Sequence, residues 1–165
     1  MAVETICFGS GDGVVYPGHG VGSVVGTRSE SIGGNDIQVL VVAFEFGMTV
    51  RIPVMNIGKC GLRRISSPCV MKDALGALAE PRSRKKLIWR HRAVEYAAKM
   101  KTADPRAIAE IVRDLYRAPG QSEGSYSEKA IYQQAWDHLI PEVAAVDCID
   151  RQSAAKKVSG LLEAA

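Results

Sequence analysis

The sequence has few of the features that mark enzymes, membrane proteins or disulfide-bonded proteins. Its four cysteines are widely separated and none has C-x-x-C spacing, which argues against a zinc or redox motif and favours buried free thiols. The apolar runs are too short to span a bilayer. The first residues lack both a basic segment and a long apolar segment, so we expect no signal peptide, no membrane contact and a cytoplasmic protein.

Catalytic motifs are missing as well. The three histidines, His19, His91 and His138, fall in separate predicted elements. No H-E-x-x-H, G-x-S-x-G or paired-carboxylate pattern occurs, although these are the arrangements that metal-assisted and nucleophilic hydrolysis use. The sequence therefore predicts a protein that is not an enzyme and that needs no cofactor and no metal.

A glycine-rich stretch at residues 11–22 is the first positive feature. β-Branched residues and Tyr16 precede a Pro17-Gly18 turn, and further glycine and valine follow it, which is typical of a strand, a tight turn and a second strand. A phosphate-binding loop is the alternative interpretation, but such a loop leads into a helix. Here Ser23, Val24 and Val25 continue as a strand, so a hairpin is favoured.

The two halves of the chain have different apolar periods. Residues 8–65 alternate as short strands, predicted at 14–16, 22–28, 37–44, 48–53 and 60–65. From Met71 onward the period is about 3.6, the helical value. Helices are predicted at 71–79, at 84–101, from Asp104-Pro105, from a capping box of Ser125 and Glu128, and at 143–162.

These patterns predict an α+β protein of two small domains. Residues 1–65 are expected to form an N-terminal antiparallel barrel of the SH3 or Tudor kind, since closely spaced short strands with tight turns are typical of such barrels. Residues 66–70 are expected to be a linker, and residues 71–165 a compact all-α domain. The length of 165 residues and the 47% apolar composition suit this division.

Basic residues are concentrated in one part of the chain. The net charge is only +3, yet the segment 82–101 holds eight basic residues and one acidic residue, and such clusters attract phosphates or acidic protein surfaces. Trp89 lies inside this segment with Lys86, Arg90 and Arg92 close by. It is either a core residue or an exposed aromatic that stacks on a base or wedges at a base step while the cations hold phosphates.

Two arginines are candidates for contact with a protein partner. In the predicted strand 48–53, Val50 and Ile52 face one way and Arg51 faces the other. Arg51 is therefore expected to be exposed and available to a carboxylate. Arg28 is a similar case at the end of an earlier strand.

Five segments, in order, resemble the CarD/CdnL family of bacterial RNA polymerase-binding transcription regulators. Residues 8–22 resemble its opening F-x-x-G-D-x-V-V-Y-P-x-H-G-x-G, and residues 49–53 are similar to its later strand. Trp89 with Arg92, residues 111–117 and Ser125-x-x-Glu128-Lys129 match further motifs. The segments are spread over about residues 8–140, nearly the whole chain.

The resemblance implies a Tudor-like N-terminal domain that binds the β subunit of RNA polymerase, as in transcription-repair coupling factors. It also implies a helical domain that touches promoter DNA at the upstream edge of the melted −10 region and so stabilises the open complex. In that comparison Arg51 and Arg28 match the polymerase-binding arginines, Trp89 the minor-groove wedge, and Lys129 a phosphate contact.

Two basic positions of the family fall on His91 and Val94, for which Arg90 and Lys86 are expected to compensate. DNA contact is expected to be largely independent of base sequence, and the protein is expected to be a monomer. The alternative is a non-catalytic adaptor whose barrel binds another protein and whose basic helix binds RNA or an acidic partner.

Overall fold

The computed structural model describes residues 7–82 and 88–165. The chain divides into two compact units, Met1–Ile65 and Ser66–Ala165. The first unit is built on a sheet and the second consists of helices, so the predicted α+β class is confirmed.

The first unit contains a five-stranded antiparallel sheet. Its strands are β1 (Gly13–Tyr16), β2 (Gly20–Ile32), β3 (Asn35–Phe44), β4 (Thr49–Pro53) and β5 (Arg63–Arg64), in the order β4-β3-β2-β1-β5, with a short helix α1 (Ile57–Cys60) before the last strand. β2 and β3 meet at a two-residue turn, Gly33-Gly34, in which both residues have positive φ (61° and 83°). Glycine tolerates this conformation without a steric penalty.

The sheet is open, whereas the sequence suggested a closed barrel. Across residues 7–65, β4 and β5 form the two edges and do not pair with each other. β5 has only two residues because Cys60 ends α1 and Gly61 turns the chain with a φ of 77°. Of the predicted strand 60–65, only Arg63 and Arg64 are in a strand, while Cys60 ends the helix and Gly61 is in a turn.

The main apolar cluster of this unit lies on one face of the sheet, and Val15, Val39 and Val41 are buried on the other face. Residues that alternate along a strand point to opposite faces, and directly paired residues of neighbouring strands share a face. The buried apolar cluster on this face and in the following segment consists of Val14, Val24, Leu40, Val42, Phe44, Ile52, Ile57 and Leu62.

The described residues of the second unit form five helices. They are α2 (Pro68–Ala79), α3 (Trp89–Thr102), α4 (Pro105–Leu115), α5 (Tyr126–Asp147) and α6 (Arg151–Glu163). α4 packs against α2, α3 and α5, and α6 packs against α5 and α2. The largest fully buried apolar residues of its core are Met71, Leu78, Ile108, Ile111, Leu139 and Ile140.

Local capping explains most of the helix starts. Asp104 accepts a hydrogen bond from the backbone N–H of Arg106, with Pro105 in the first turn, and Ser125 and Glu128 form the predicted capping box. Both predicted starts are confirmed. Ser67 caps α2 in the same way, by accepting from the Val70 N–H. Residues 68–70, predicted as part of a linker, are therefore the first turn of α2.

Three further predictions differ from the structure. The predicted helix 143–162 is divided, because Cys148 adopts a left-handed φ of 53° at the end of α5 and Asp150 caps α6. The predicted helix 84–101 begins at Trp89, and its first residues lie outside the described part of the chain. The cysteines are not buried: Cys7, Cys69 and Cys148 are exposed and Cys60 is intermediate.

Among the described helices, none has the length and apolarity that a membrane crossing requires.

Candidate functional site

Trp89 is neither a fully buried core residue nor a fully exposed one, the two alternatives left open by its sequence context. It is the first residue of α3 and is only partly buried, with its indole packed on the edge of the helical core. The ring of Tyr96 lies 6.3 Å away between centroids, and burial raises the pKa of the Tyr96 hydroxyl. The guanidinium carbon of Arg92 lies 5.3 Å from the indole centroid. Arg92 and Tyr96 are three and seven residues after Trp89, so all three share one helix face.

Arg92 lies between the Trp89 indole and an acidic side chain of α5. Its side chain is only 28% exposed, and its Nη2 lies 3.4 Å from Oε1 of Glu128. Its Nε is buried and has no hydrogen-bond partner among the described residues. Arg92 thus joins the first turn of α3 to the first turn of α5, with the Trp89 ring on one side.

Glu128 is the acceptor at the centre of this cluster. Its side chain is 14% exposed. Its Oε2 accepts from the Ser125 backbone N–H at 3.1 Å and lies 3.4 Å from Arg117. The capping role was evident from the sequence, but the pairing with Arg92 was not, because 36 residues separate them.

Three other residues near the start of α3 face outward. Arg90 and His91 are exposed, and Val94 is 68% exposed. No described side chain caps this helix, and its first turn carries no acidic residue. The positive end of the helix dipole therefore lies beside the exposed Arg90, and the N–H groups of His91 and Arg92 donate to the Ile88 carbonyl. Lys86 lies outside the described residues.

Lys129 lies in the first turn of α5, immediately after Glu128. Its side chain is 54% exposed and forms an ion pair with Glu123. This pairing lowers the pKa of the Glu123 carboxyl. Because both side chains are at the surface, the pair is weakly held.

In the sheet unit, Arg28 and Arg51 share a face. Arg51 pairs in register with Val41, and Arg28 pairs with Val39. Val39 and Val41 are two residues apart on β3, so the two arginines lie on the same side of the sheet with one strand between them. Arg51 is 66% exposed and its Nε lies 3.5 Å from the Glu30 carboxylate. We call this the arginine face, defined by Arg28, Glu30 and Arg51.

The glycine-rich stretch is not a phosphate loop. It forms β1, a turn and the beginning of β2, with Tyr16 paired to Gly20. His19 of this turn is exposed, and its ring stacks on that of Tyr16 at 5.0 Å. Within residues 7–82 and 88–165, no three His, Cys, Asp or Glu side chains come together in a group that could hold a metal ion.

Sequence reasoning missed one buried acid. Glu142 of α5 is 1% exposed. Its Oε1 accepts hydrogen bonds from both the N–H and the hydroxyl of Ser66, at 3.1 and 2.7 Å. An acidic residue inside the apolar run from Leu139 to Val143 was the available signal.

The two units define a class of protein: an open antiparallel sheet with an arginine face, followed by a helical unit that carries a partly exposed tryptophan beside basic residues. Comparison with known families also separates the chain into two domains, one for each unit. The CarD-like/TRCF RID domain matches residues 8–66, and the CarD C-terminal domain matches residues 73–159.

The chain therefore belongs to the CarD family of transcription regulators, and its N-terminal unit is a CarD-like RNA polymerase-interacting domain. The family resemblance seen in the sequence is confirmed. The chain is also similar to a protein of Bacillus subtilis (strain 168) that bears the name "Putative transcription factor YdeB". The two are 29% identical over 140 residues, which is 84% of this chain and 92% of that protein.

Proposed function

We propose that this protein is a non-catalytic transcription regulator that binds the β subunit of RNA polymerase and stabilises the promoter open complex. In this proposal the helical unit contacts DNA at the upstream edge of the −10 bubble. The observation that carries it is Trp89, a partly exposed indole in the first turn of a helix that no described side chain caps, beside the exposed Arg90. The protein acts as a monomer in the cytoplasm, on the nucleoid.

The arginine face supports the docking step. Two arginines on one side of a sheet provide forked donors that suit carboxylates of a protein partner. The Arg51–Glu30 contact joins side chains that are 66% and 29% exposed, and exposed pairs of this kind contribute only about 0–1 kcal/mol. Arg51 can therefore leave Glu30 for a partner carboxylate at little cost.

The helical unit supports the DNA step. Arg90, the positive end of the α3 dipole and Lys129 are suited to phosphates, which orient a protein on DNA without reading its sequence. An apolar ring inserted at a base step can hold two bases apart, and unstacking a step costs a few kcal/mol. The same ring can thus oppose closure of the bubble whatever its sequence.

Docking on polymerase explains how so few phosphate contacts suffice. Binding through a few phosphates is weak and depends strongly on salt. Attachment of the sheet unit to polymerase makes the second contact intramolecular and raises the effective concentration of the helical unit at the promoter.

The test uses two variants and one control in the full chain. Arg51→Glu is expected to abolish co-purification with RNA polymerase. Trp89→Ala is expected to leave that binding intact and to shorten the open-complex lifetime. Trp136→Phe, which changes the other tryptophan and keeps an aromatic ring against the helical core, is the control and is expected to leave the lifetime unchanged.

Two results would contradict the proposal. One is an open-complex lifetime that Trp89→Ala does not change. The other is the absence of polymerase from a pull-down with the wild-type protein. The second result would favour an adaptor that binds another protein and RNA or an acidic partner.

A further inference from the structure

We infer that Arg92 and Glu128 are positioning residues that hold the Trp89 indole, and that Arg92 is not itself a DNA contact. This inference rests on the proposed function of Trp89. It changes the role expected from the sequence, in which Arg92 was one of the cations available to phosphate.

The position of Arg92 between the indole and Glu128 is the first argument. The guanidinium carbon lies 5.3 Å from the Trp89 ring centroid, and Nη2 lies 3.4 Å from Oε1 of Glu128. A cation over an indole face is attracted by the ring quadrupole, and more strongly where water is excluded. Here only 28% of the arginine side chain is exposed. Moving Arg92 to a phosphate would break both contacts.

Glu128 is itself fixed, which is the second argument. It is held by the Ser125 N–H and lies within reach of Arg117. Gly124 leaves space for it, since an added Cβ at that position would overlap Oε2 of Glu128. A carboxylate held on several sides provides a rigid anchor for Arg92, and the rotation of the indole is restricted in turn.

The charge balance is the third argument. The carboxylate of Glu128 neutralises Arg92 locally. Arg90, two residues earlier in the same turn, is exposed and forms no ion pair with a carboxylate of the described residues. The two arginines therefore have different roles in this proposal: Arg90 is available to phosphate and Arg92 orients the ring.

The arrangement also joins the two proposed DNA contacts. Glu128 precedes Lys129 in the first turn of α5 and pairs with Arg92 in the first turn of α3. The wedge and the phosphate contact are thus held at a fixed spacing by one ion pair. This spacing would let Trp89 enter the DNA without a search over ring orientations.

The test compares Arg92→Gln and Glu128→Gln with Arg90→Gln as the matched control. Glutamine at position 128 can still close the capping box, so the helix start is retained while the charge is removed. All variants are made in the full chain with Trp136→Phe, so that fluorescence reports on Trp89 alone. Melting temperatures verify that each variant is folded.

Three measurements separate positioning from phosphate contact. Acrylamide quenching of Trp89 in the free protein is expected to rise in Arg92→Gln and Glu128→Gln and to stay unchanged in Arg90→Gln. Open-complex lifetime is expected to fall in the first two toward the Trp89→Ala value. The slope of log affinity against log salt for promoter DNA is expected to decrease by about 0.9 in Arg90→Gln, as for one lost phosphate contact, and to stay unchanged in Arg92→Gln.

The inference is overturned if Arg92→Gln lowers the salt slope as much as Arg90→Gln does. It is also overturned if Trp89 quenching is the same in wild type, Arg92→Gln and Glu128→Gln. A lack of effect of Trp89→Ala on the open complex would instead refute the proposed function, and the quenching result would still decide whether the ion pair holds the ring.

Discussion

Replacing Ser66 by alanine provides a direct test of how the helical unit begins. The Ser66 hydroxyl donates a hydrogen bond of 2.7 Å to Oε1 of Glu142, and the Ser66 N–H donates a second one of 3.1 Å. Ser66→Ala removes the first and keeps the second. The carboxylate that loses this donor is 1% exposed, so bulk water cannot easily replace it.

The expected cost follows from the charge of the acceptor. Hydrogen bonds to charged groups contribute about 1.5–3 kcal/mol, and a buried charged group that loses a partner costs at least as much. We expect Ser66→Ala to lower the free energy of unfolding by about 2 kcal/mol. The neighbouring Ser67 is the matched control, because its hydroxyl accepts a longer, exposed bond of 3.3 Å from the Val70 N–H. Loss of such a cap costs about 1 kcal/mol.

Urea unfolding followed by far-UV ellipticity measures both variants, since most of the helical signal comes from Ser66–Ala165. The midpoint is expected to fall further for Ser66→Ala than for Ser67→Ala, with the slope unchanged. A loss below about 0.5 kcal/mol for Ser66→Ala, as for an ordinary surface site, would refute the reasoning. Residue 66 would then behave as part of a linker.

Three further predictions concern stability. Burial raises the pKa of Tyr132 to about 12, above the value of about 10 for an exposed tyrosine. The contribution of the neutral Tyr132 to the free energy of unfolding is therefore fully present below pH 10 and is lost as the pH rises toward 12. Tyr132→Phe should reduce that loss in alkaline unfolding. An equal loss in both proteins would contradict this. Phe46 is 99% exposed with a φ of 64°, so Phe46→Asn should raise the unfolding free energy by about 1 kcal/mol, because asparagine tolerates the left-handed region; an unchanged urea midpoint would count against it. Asp104→Ala should cost about 1 kcal/mol through loss of the α4 cap, and a neutral result would show that the Arg106 N–H bond contributes nothing.

Features that depend on neighbours in the chain could be predicted from the sequence. The cap at Asp104 and the capping box at Ser125 involve groups two or three residues apart, so the local sequence contains both partners. The outward direction of Arg51 follows from strand alternation alone. The Ser67-Pro68 pair carried the same kind of start signal as Asp104-Pro105, and reading it as a linker placed the start of α2 three residues too late.

Other features could not be predicted because their partners are distant in sequence. The sheet is open because α1 and the Gly61 turn shorten the last strand, and whether sheet edges meet is a property of the whole unit. The break between α5 and α6 occurs at Cys148, a residue type that seldom adopts positive φ. The packing of the unit, and not a local glycine, therefore selects that conformation.

The sequence by itself determined the family, the order of strands and helices, and the concentration of cations around Trp89, because motifs, periodicity and charge are all local. Only the tertiary structure decided which of the two arginines that follow Trp89 is paired and which is exposed. It places Glu128, 36 residues away, against Arg92 and leaves Arg90 exposed in the same turn. Burial and charge pairing depend on which elements pack together, so two arginines separated by a single residue can have different surroundings in the fold.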